Sequence, residues 1–191
     1  IFLMMLGAGL AYFSIMAIGF KLAPAGHSIL TPCTMTLMVA VGSVIWFSEK
    51  LNRARIAGYA LIIIGVIYKI FFISGTEHLS ADAFFLMGAV CWTTYTLLAK
   101  KHSMPPLVTT AFVQVGSMFL LLPFYAIYQI NEPHTLPLID SIIQLVFQGL
   151  FISIISLVFY NKAIGYIGAS RTSSFGALLP VMVTGGAIPI L

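Results

Sequence analysis

The residues best suited to chemistry lie on one helical stripe. Gly88, Trp92, Tyr95, Thr96 and Ala99 recur at three- and four-residue spacing and therefore share a face of an α-helix. Two aromatic rings and a hydroxyl set among small residues can line a pocket that recognises a small molecule by ring contact and hydrogen bonding. The same pattern also serves packing, with each polar tip bonded to a neighbouring helix. No nucleophile stands beside a base in these apolar stretches, and His residues do not cluster with acids there, so the chain reads as a non-enzyme.

Two further stretches carry polar groups within apolar sequence. Gly149, Ser153, Ser156 and Tyr160 form a second stripe, whose hydroxyls must face protein or a wet cavity if the segment lies in lipid. Gly168-Ala169-Ser170-Arg171-Thr172-Ser173-Ser174 combines small residues and hydroxyls with a helix start, whose dipole favours anions. A carboxylate can dock there, or Arg171 can serve as a topology anchor at the membrane boundary. The candidate substrate-binding residues are Trp92, Tyr95, Thr96, Ser156, Tyr160, Arg171, Ser173 and Ser174. Catalytic residues, metal ligands and cofactors are not expected. Cys33 and Cys91 belong to no CxxC or Cys/His pattern and read as packing residues.

The elements that position these residues follow from composition. Of 191 residues, 60% are hydrophobic and 7% charged, against about 25% charged in an ordinary soluble domain. With a mean hydropathy of +1.07, the chain is expected to lie in a lipid bilayer as an all-α integral membrane bundle. At roughly 20 apolar residues per crossing, its length holds about seven crossings with short loops. Uncharged or nearly uncharged runs fall at 1–20, 22–48, 56–74, 83–99, 107–130, 141–160 and from 172 onward. The chain opens without Met and closes in the apolar run at Ile190-Leu191, which reads as a segment of a longer polypeptide.

Charge marks the same boundaries. The five acids, Glu49, Glu77, Asp82, Glu132 and Asp140, all stand at junctions, where a carboxylate avoids the cost of burial in lipid. Lys50, Arg53 and Arg55, then Lys100 and Lys101, then Lys162 and Arg171 gather on alternate loops, which the positive-inside rule makes cytoplasmic. A net charge of +4 needs no nucleic-acid partner to explain it. Lys69 interrupts the third run and is expected to snorkel to the interface. His27 stands without a neighbouring acid in sequence, and the spans offer no sign of a proton or sodium relay.

Pro32 and Pro180, with Pro189, are expected to kink the second and seventh crossings. Gly7, Gly9, Gly58, Gly65, Gly185 and Gly186 are expected to let helices approach closely. A short repeat, Ala17-Ile18-Gly19-Phe20 with Ala23 and Ala163-Ile164-Gly165-Tyr166 with Ala169, joins one crossing to the next in each half. One copy lies at an outside loop and the other at an inside loop, as in the inverted repeats of many secondary transporters.

Three stretches carry a family likeness. Ser48-Glu49-Lys50-Leu51, with Gly58, Leu61-Ile62 and Gly65-Val66, resembles the "GE.L…G..LI..GV" segment closing each half of EamA-type carriers in the drug/metabolite transporter superfamily, with Ser48 in place of the usual Gly. Gly88 through Lys100 is similar to that family's "G…..CWA.Y.v..r" opening of the second half, and Gly168 through Pro180 to its "ga..as….l.Pv" helix. The resemblance implies ten helices in two inverted five-helix halves. Residues 1–75 would then hold three helices of the first repeat and 82–191 four of the second, the third through ninth helices of the whole. It also implies multi-pass residence in a bacterial inner membrane, and export or exchange of small metabolites such as amino acids or drugs by alternating access. A channel or a non-transporting membrane scaffold is the competing reading.

Overall fold

The computed structural model describes residues 2–73, 78–131 and 137–187. In lipid each backbone N–H must find its acceptor within the protein, so long apolar runs fold as helices. Six helices long and apolar enough to cross a membrane result: α1 (Phe2–Leu22), α2 (Gly26–Phe47), α3 (Arg53–Phe71), α4 (Leu79–His102), α5 (Pro106–Ile127) and α6 (Leu138–Ile167). The seventh expected run forms α7 (169–187), which begins three residues earlier than its lack of charge suggests and continues through a 3₁₀ turn at Phe175–Leu178. The chain is a multi-pass, all-α integral membrane protein.

Sequence chemistry sets the helix ends. Asn52 caps α3 by accepting the Arg55 amide at 2.9 Å. Pro106 opens α5 at a position where a missing N–H costs nothing. The end of α2 is closed by Ser48 at φ +52° and that of α4 by Ser103 at φ +48°, both left-handed. Pro32 falls in the first helical turn at Leu30 and so does not break an established helix. Pro123 lies well inside α5. Pro180 follows directly on the 3₁₀ turn of α7, where the tightened backbone accommodates the missing donor. Pro189, Glu77 and Glu132 lie outside the described residues.

Helix α4 is the hub. It packs against α1 and α2 along its length and touches α6 and α7. Half of its span is buried, against 6% for α3 and for α6. Close approach depends on small residues at the contacts. A Cβ on Gly7 would stand 2.7 Å from the Cys91 carbonyl, one on Gly88 2.9 Å from the Met16 sulfur, and one on Gly19 2.9 Å from the Phe85 ring. At Gly9 α1 breaks against Ser117, whose hydroxyl donates to the Met5 carbonyl at 3.2 Å. Gly58, Gly65 and Gly185 have nothing within 4 Å, so the expected helix contacts are absent there among the described residues.

Two apolar clusters result. Met4, Met35, Val39, Tyr95, Val113 and Leu157 center one on the second half of α4; Met16, Leu30, Ala81 and Phe85 form the other near its start. Ile45, Trp46, Leu61, Phe119, Leu145 and Phe147 project outward, as a surface facing acyl chains requires. Some hydroxyls within the spans turn back on their own helix: Thr34, Thr94 and Thr110 donate to the carbonyl four residues earlier.

Candidate functional site

Four aromatic rings meet where α1, α4 and α6 cross. Trp92 lies edge-to-face with Tyr12 at 4.8 Å, with Tyr160 at 5.7 Å and with Tyr95 at 5.9 Å between ring centroids. The α4 stripe points inward, so Tyr95 and Thr96 are fully buried. Their hydroxyls reach across to α6. Tyr95 donates to Asn161 Oδ1 at 2.7 Å, and the Thr96 and Tyr160 oxygens stand 2.8 Å apart. Asn161 in turn donates through Nδ2 to Thr110 Oγ1 at 3.2 Å, which ties α5 into the same network.

Asn161 alone of this network lines a cavity of about 560 Å³ between the ends of α4 and α6 and the start of α5, together with Lys100, Ser103, Thr109, Lys162 and Tyr166. Aromatic edges and faces, an amide and hydroxyls can hold the organic body and polar groups of a small molecule. Lys162 adds an ammonium group to this lining, whereas that of Lys100 is paired with Glu49.

Of the residues singled out by sequence, Trp92, Tyr95, Thr96 and Tyr160 come together. Ser156 points outward and is exposed. Its stripe presumes α-helical winding, whereas Leu145–Ser156 is π-helical and turns with a longer repeat. Arg171 is exposed at the boundary between α6 and α7. Ser173 and Ser174 belong to a different seam, where the Ser173 carbonyl accepts Thr36 of α2 at 2.7 Å. In that seam Tyr59 of α3 lies 3.0 Å from Ser170 Oγ and 3.3 Å from Ser174 Oγ. Tyr12, Thr110 and Asn161 were not legible as site residues. Asn161 had a signal, an amide directly after Tyr160 in an apolar run, which reads equally as the end of a crossing.

A charged cluster sits at the opposite end of the bundle and corrects three expectations. Lys69 does not snorkel: it is buried and donates to Asp82 Oδ1 at 3.0 Å. His27 is not alone, because its Nδ1 lies 2.8 Å from the same oxygen. An acid does lie within a span, since Asp82 occupies the first turn of α4 and is buried. The packing of α2, α3 and α4 brings these residues together, which spacing alone does not reveal.

At the other end, Glu49 after α2 pairs with Lys100 near the end of α4. The Lys100 ammonium also stands 5.0 Å above the Phe47 ring. The start of α7 lies against this pair at Gly168, so the carboxylate nearest that helix start is the protein's own.

Together these features define a multi-pass α-helical membrane protein with an aromatic and polar interior. The EamA-like transporter family matches residues 79–191, more than half of the chain, and the chain belongs to that family. It is similar to "Uncharacterized transporter YyaM" of Bacillus subtilis (strain 168), 27% identical over 156 residues that cover 76% of this chain and 50% of that protein. It is also similar to "Probable amino-acid metabolite efflux pump" of Salmonella typhimurium (strain LT2), 27% identical over 181 residues that cover 88% of this chain and 60% of that protein. The chain thus spans about half to three-fifths of these relatives' length. No solved structure matches it.

Proposed function

We propose that the protein moves small organic metabolites, amino acids or drugs among them, across a bacterial inner membrane by alternating access, as an exporter or exchanger. The observation that carries this is the Trp92–Tyr95–Tyr160 cluster, joined by the Tyr95 hydroxyl to Asn161, which lines an open cavity. Membership of the EamA-like transporter family and the efflux relative support it.

The basic residues Lys50, Arg53, Lys100, Lys101 and Lys162 put the Glu49 end, and with it the cavity mouth, on the cytoplasmic side by the positive-inside rule. Substrate then enters from the cytoplasm past Lys100 and Lys162 and meets the ring cluster deeper in. Two repeats, 1–75 and 82–191, supply the pseudo-symmetric parts whose exchange of conformation turns the cavity outward, and the family match over 79–191 supports that division.

The test is uptake of labelled amino acids and nucleosides into liposomes holding the protein expressed from its complete coding sequence. Saturable, competable flux, reduced about tenfold by Trp92→Ala or Tyr95→Ala, is the expected result, since about 1.4 kcal/mol of lost binding is tenfold. Flux that does not saturate would indicate a channel, and none at all from folded protein a scaffold.

A further inference from the structure

The cluster at the far end of the bundle has a geometry that responds to protons. His27 Nδ1 lies 2.8 Å and Lys69 Nζ 3.0 Å from one oxygen, Asp82 Oδ1, and the two nitrogens are 3.2 Å apart. Asp82 is 4% exposed and Lys69 9%. The His78 ring faces His27 edge-on at 4.9 Å and its Nδ1 lies 3.2 Å from the Leu22 carbonyl, which can accept only from a protonated nitrogen. Behind Lys69, Cys33 of α2 and Pro180 of α7 line an apolar cavity of about 230 Å³. Among the described residues His27, Lys69, His78, Asp82 and Cys33 are the titratable groups at this point.

Ionised Asp82, protonated Lys69 and neutral His27 make a cluster of balanced charge, the state in which a buried group is tolerated. One added proton has two destinations here. On His27 it creates a second cation 3.2 Å from the Lys69 nitrogen. On Asp82 it neutralises the carboxylate that both nitrogens share. Either way Lys69 loses net attraction, because Coulomb energy at these distances is large where water is scarce.

Lys69 matters because α3 has few other ties. Only 6% of its span is buried. A further polar contact of α3 with the bundle is at the opposite end, where Tyr59 meets Ser170 and Ser174 of α7. Lys69 also begins the π-helical turn Lys69–Ile73 that ends the helix, a kind of irregularity common at functional positions.

We propose that His27, Lys69 and Asp82 form a proton-binding site whose occupation unlatches the Lys69 end of α3 from the bundle. This rests on the carrier reading and deepens it by naming the proton as the coupled ion. By the charge rule this end faces outward. A proton arriving from outside frees α3 to swing about its Tyr59 contact and opens that side, and release of the proton closes it.

The experiment places nitroxide labels at Ile18→Cys on α1 and Phe71→Cys on α3, both exposed, in the full-length protein with Cys33→Ala and Cys91→Ala, reconstituted in lipid nanodiscs. Pulsed electron spin resonance reads their separation as pH falls from about 8 to about 5, the range in which histidines titrate. A longer-distance population should appear on acidification. It should already dominate at the higher pH in Asp82→Asn, or in Lys69→Gln where the first variant does not fold. A distance distribution independent of pH, or one left short by both variants, would overturn the proposal. The measurement needs no substrate. A proton-driven change without any flux in liposomes would keep the latch and sink the carrier, and flux without the change would do the reverse.

Discussion

Glu49 and Lys100, 51 residues apart, form an ion pair that joins the ends of α2 and α4, and Gly168 sits on it. The three stretches by which the sequence resembles EamA carriers, one closing the first half, one opening the second and one leading α7, therefore converge on a single contact. The side chains are largely but not wholly buried, so the pair belongs between exposed pairs, worth up to about 1 kcal/mol, and buried pairs, which cost about 3–5 kcal/mol to break. Glu49→Gln is expected to destabilise the folded protein by about 2 kcal/mol. Unfolding in detergent, with a double-mutant cycle against Lys100→Met, measures it. A coupling energy of zero would mean that the two side chains merely lie close.

Gly168→Ala should be costly for two separate reasons. Its φ of +90° is a conformation that L side chains avoid, and a Cβ there would stand 3.1 Å from Glu49 Oε1 and 3.3 Å from Lys100 Nζ. We expect a loss of about 2 kcal/mol, from roughly 1 kcal/mol of backbone strain and the rest from displacement of the pair. The displacement part should vanish in a Glu49→Ala, Lys100→Ala background, which thermal unfolding of the four proteins would resolve.

Tyr95→Phe removes one oxygen and leaves Asn161 Oδ1 without its buried donor at 2.7 Å. An unsatisfied buried acceptor costs about 1–3 kcal/mol, so stability should fall by about that amount. Asn161→Leu, which takes away the partner, should make the Tyr95→Phe change nearly neutral. If the network also shapes the substrate pocket, the flux variant with Phe shows a raised KM with less change in maximal rate.

How much of this was legible in advance divides by range. Six crossings among the described residues were readable because span length is fixed by the bilayer and most charges gather near the ends of the apolar runs, two signals that agree locally. The inward face of α4 was readable because Gly88, Trp92, Tyr95, Thr96 and Ala99 obey the period of a single helix. The partners were not. Tyr12, Thr110 and Asn161 reach the cluster from three other helices, and the spacing within each says nothing about which helix lies opposite. The cluster of His27, Lys69 and Asp82 hid for the same reason: each looked like a boundary residue alone, and only the packing of α2, α3 and α4 joins them. Ser156 failed differently, since a π-helical run changes the period on which a stripe is read.

Ser48 offers the last test, because it stands where the resembled family usually has Gly. The reason for that Gly is visible in the backbone. Ser48 closes α2 at φ +52°, ψ +34°, and the amides of Ser48 and Glu49 both turn back to the Ser43 carbonyl. A left-handed residue with a Cβ costs about 1 kcal/mol relative to Gly, partly offset by the greater freedom Gly has when unfolded. Ser48→Gly is therefore expected to stabilise the protein by about 0.5–1 kcal/mol. Ser103 closes α4 in the same conformation, but its hydroxyl donates to the Lys100 carbonyl at 2.8 Å, a bond that Gly would forfeit. Ser103→Gly should gain less or nothing. Paired melting curves in detergent decide it, and a larger gain at Ser103 would show that the backbone conformation is not what sets the preference for Gly at the end of α2.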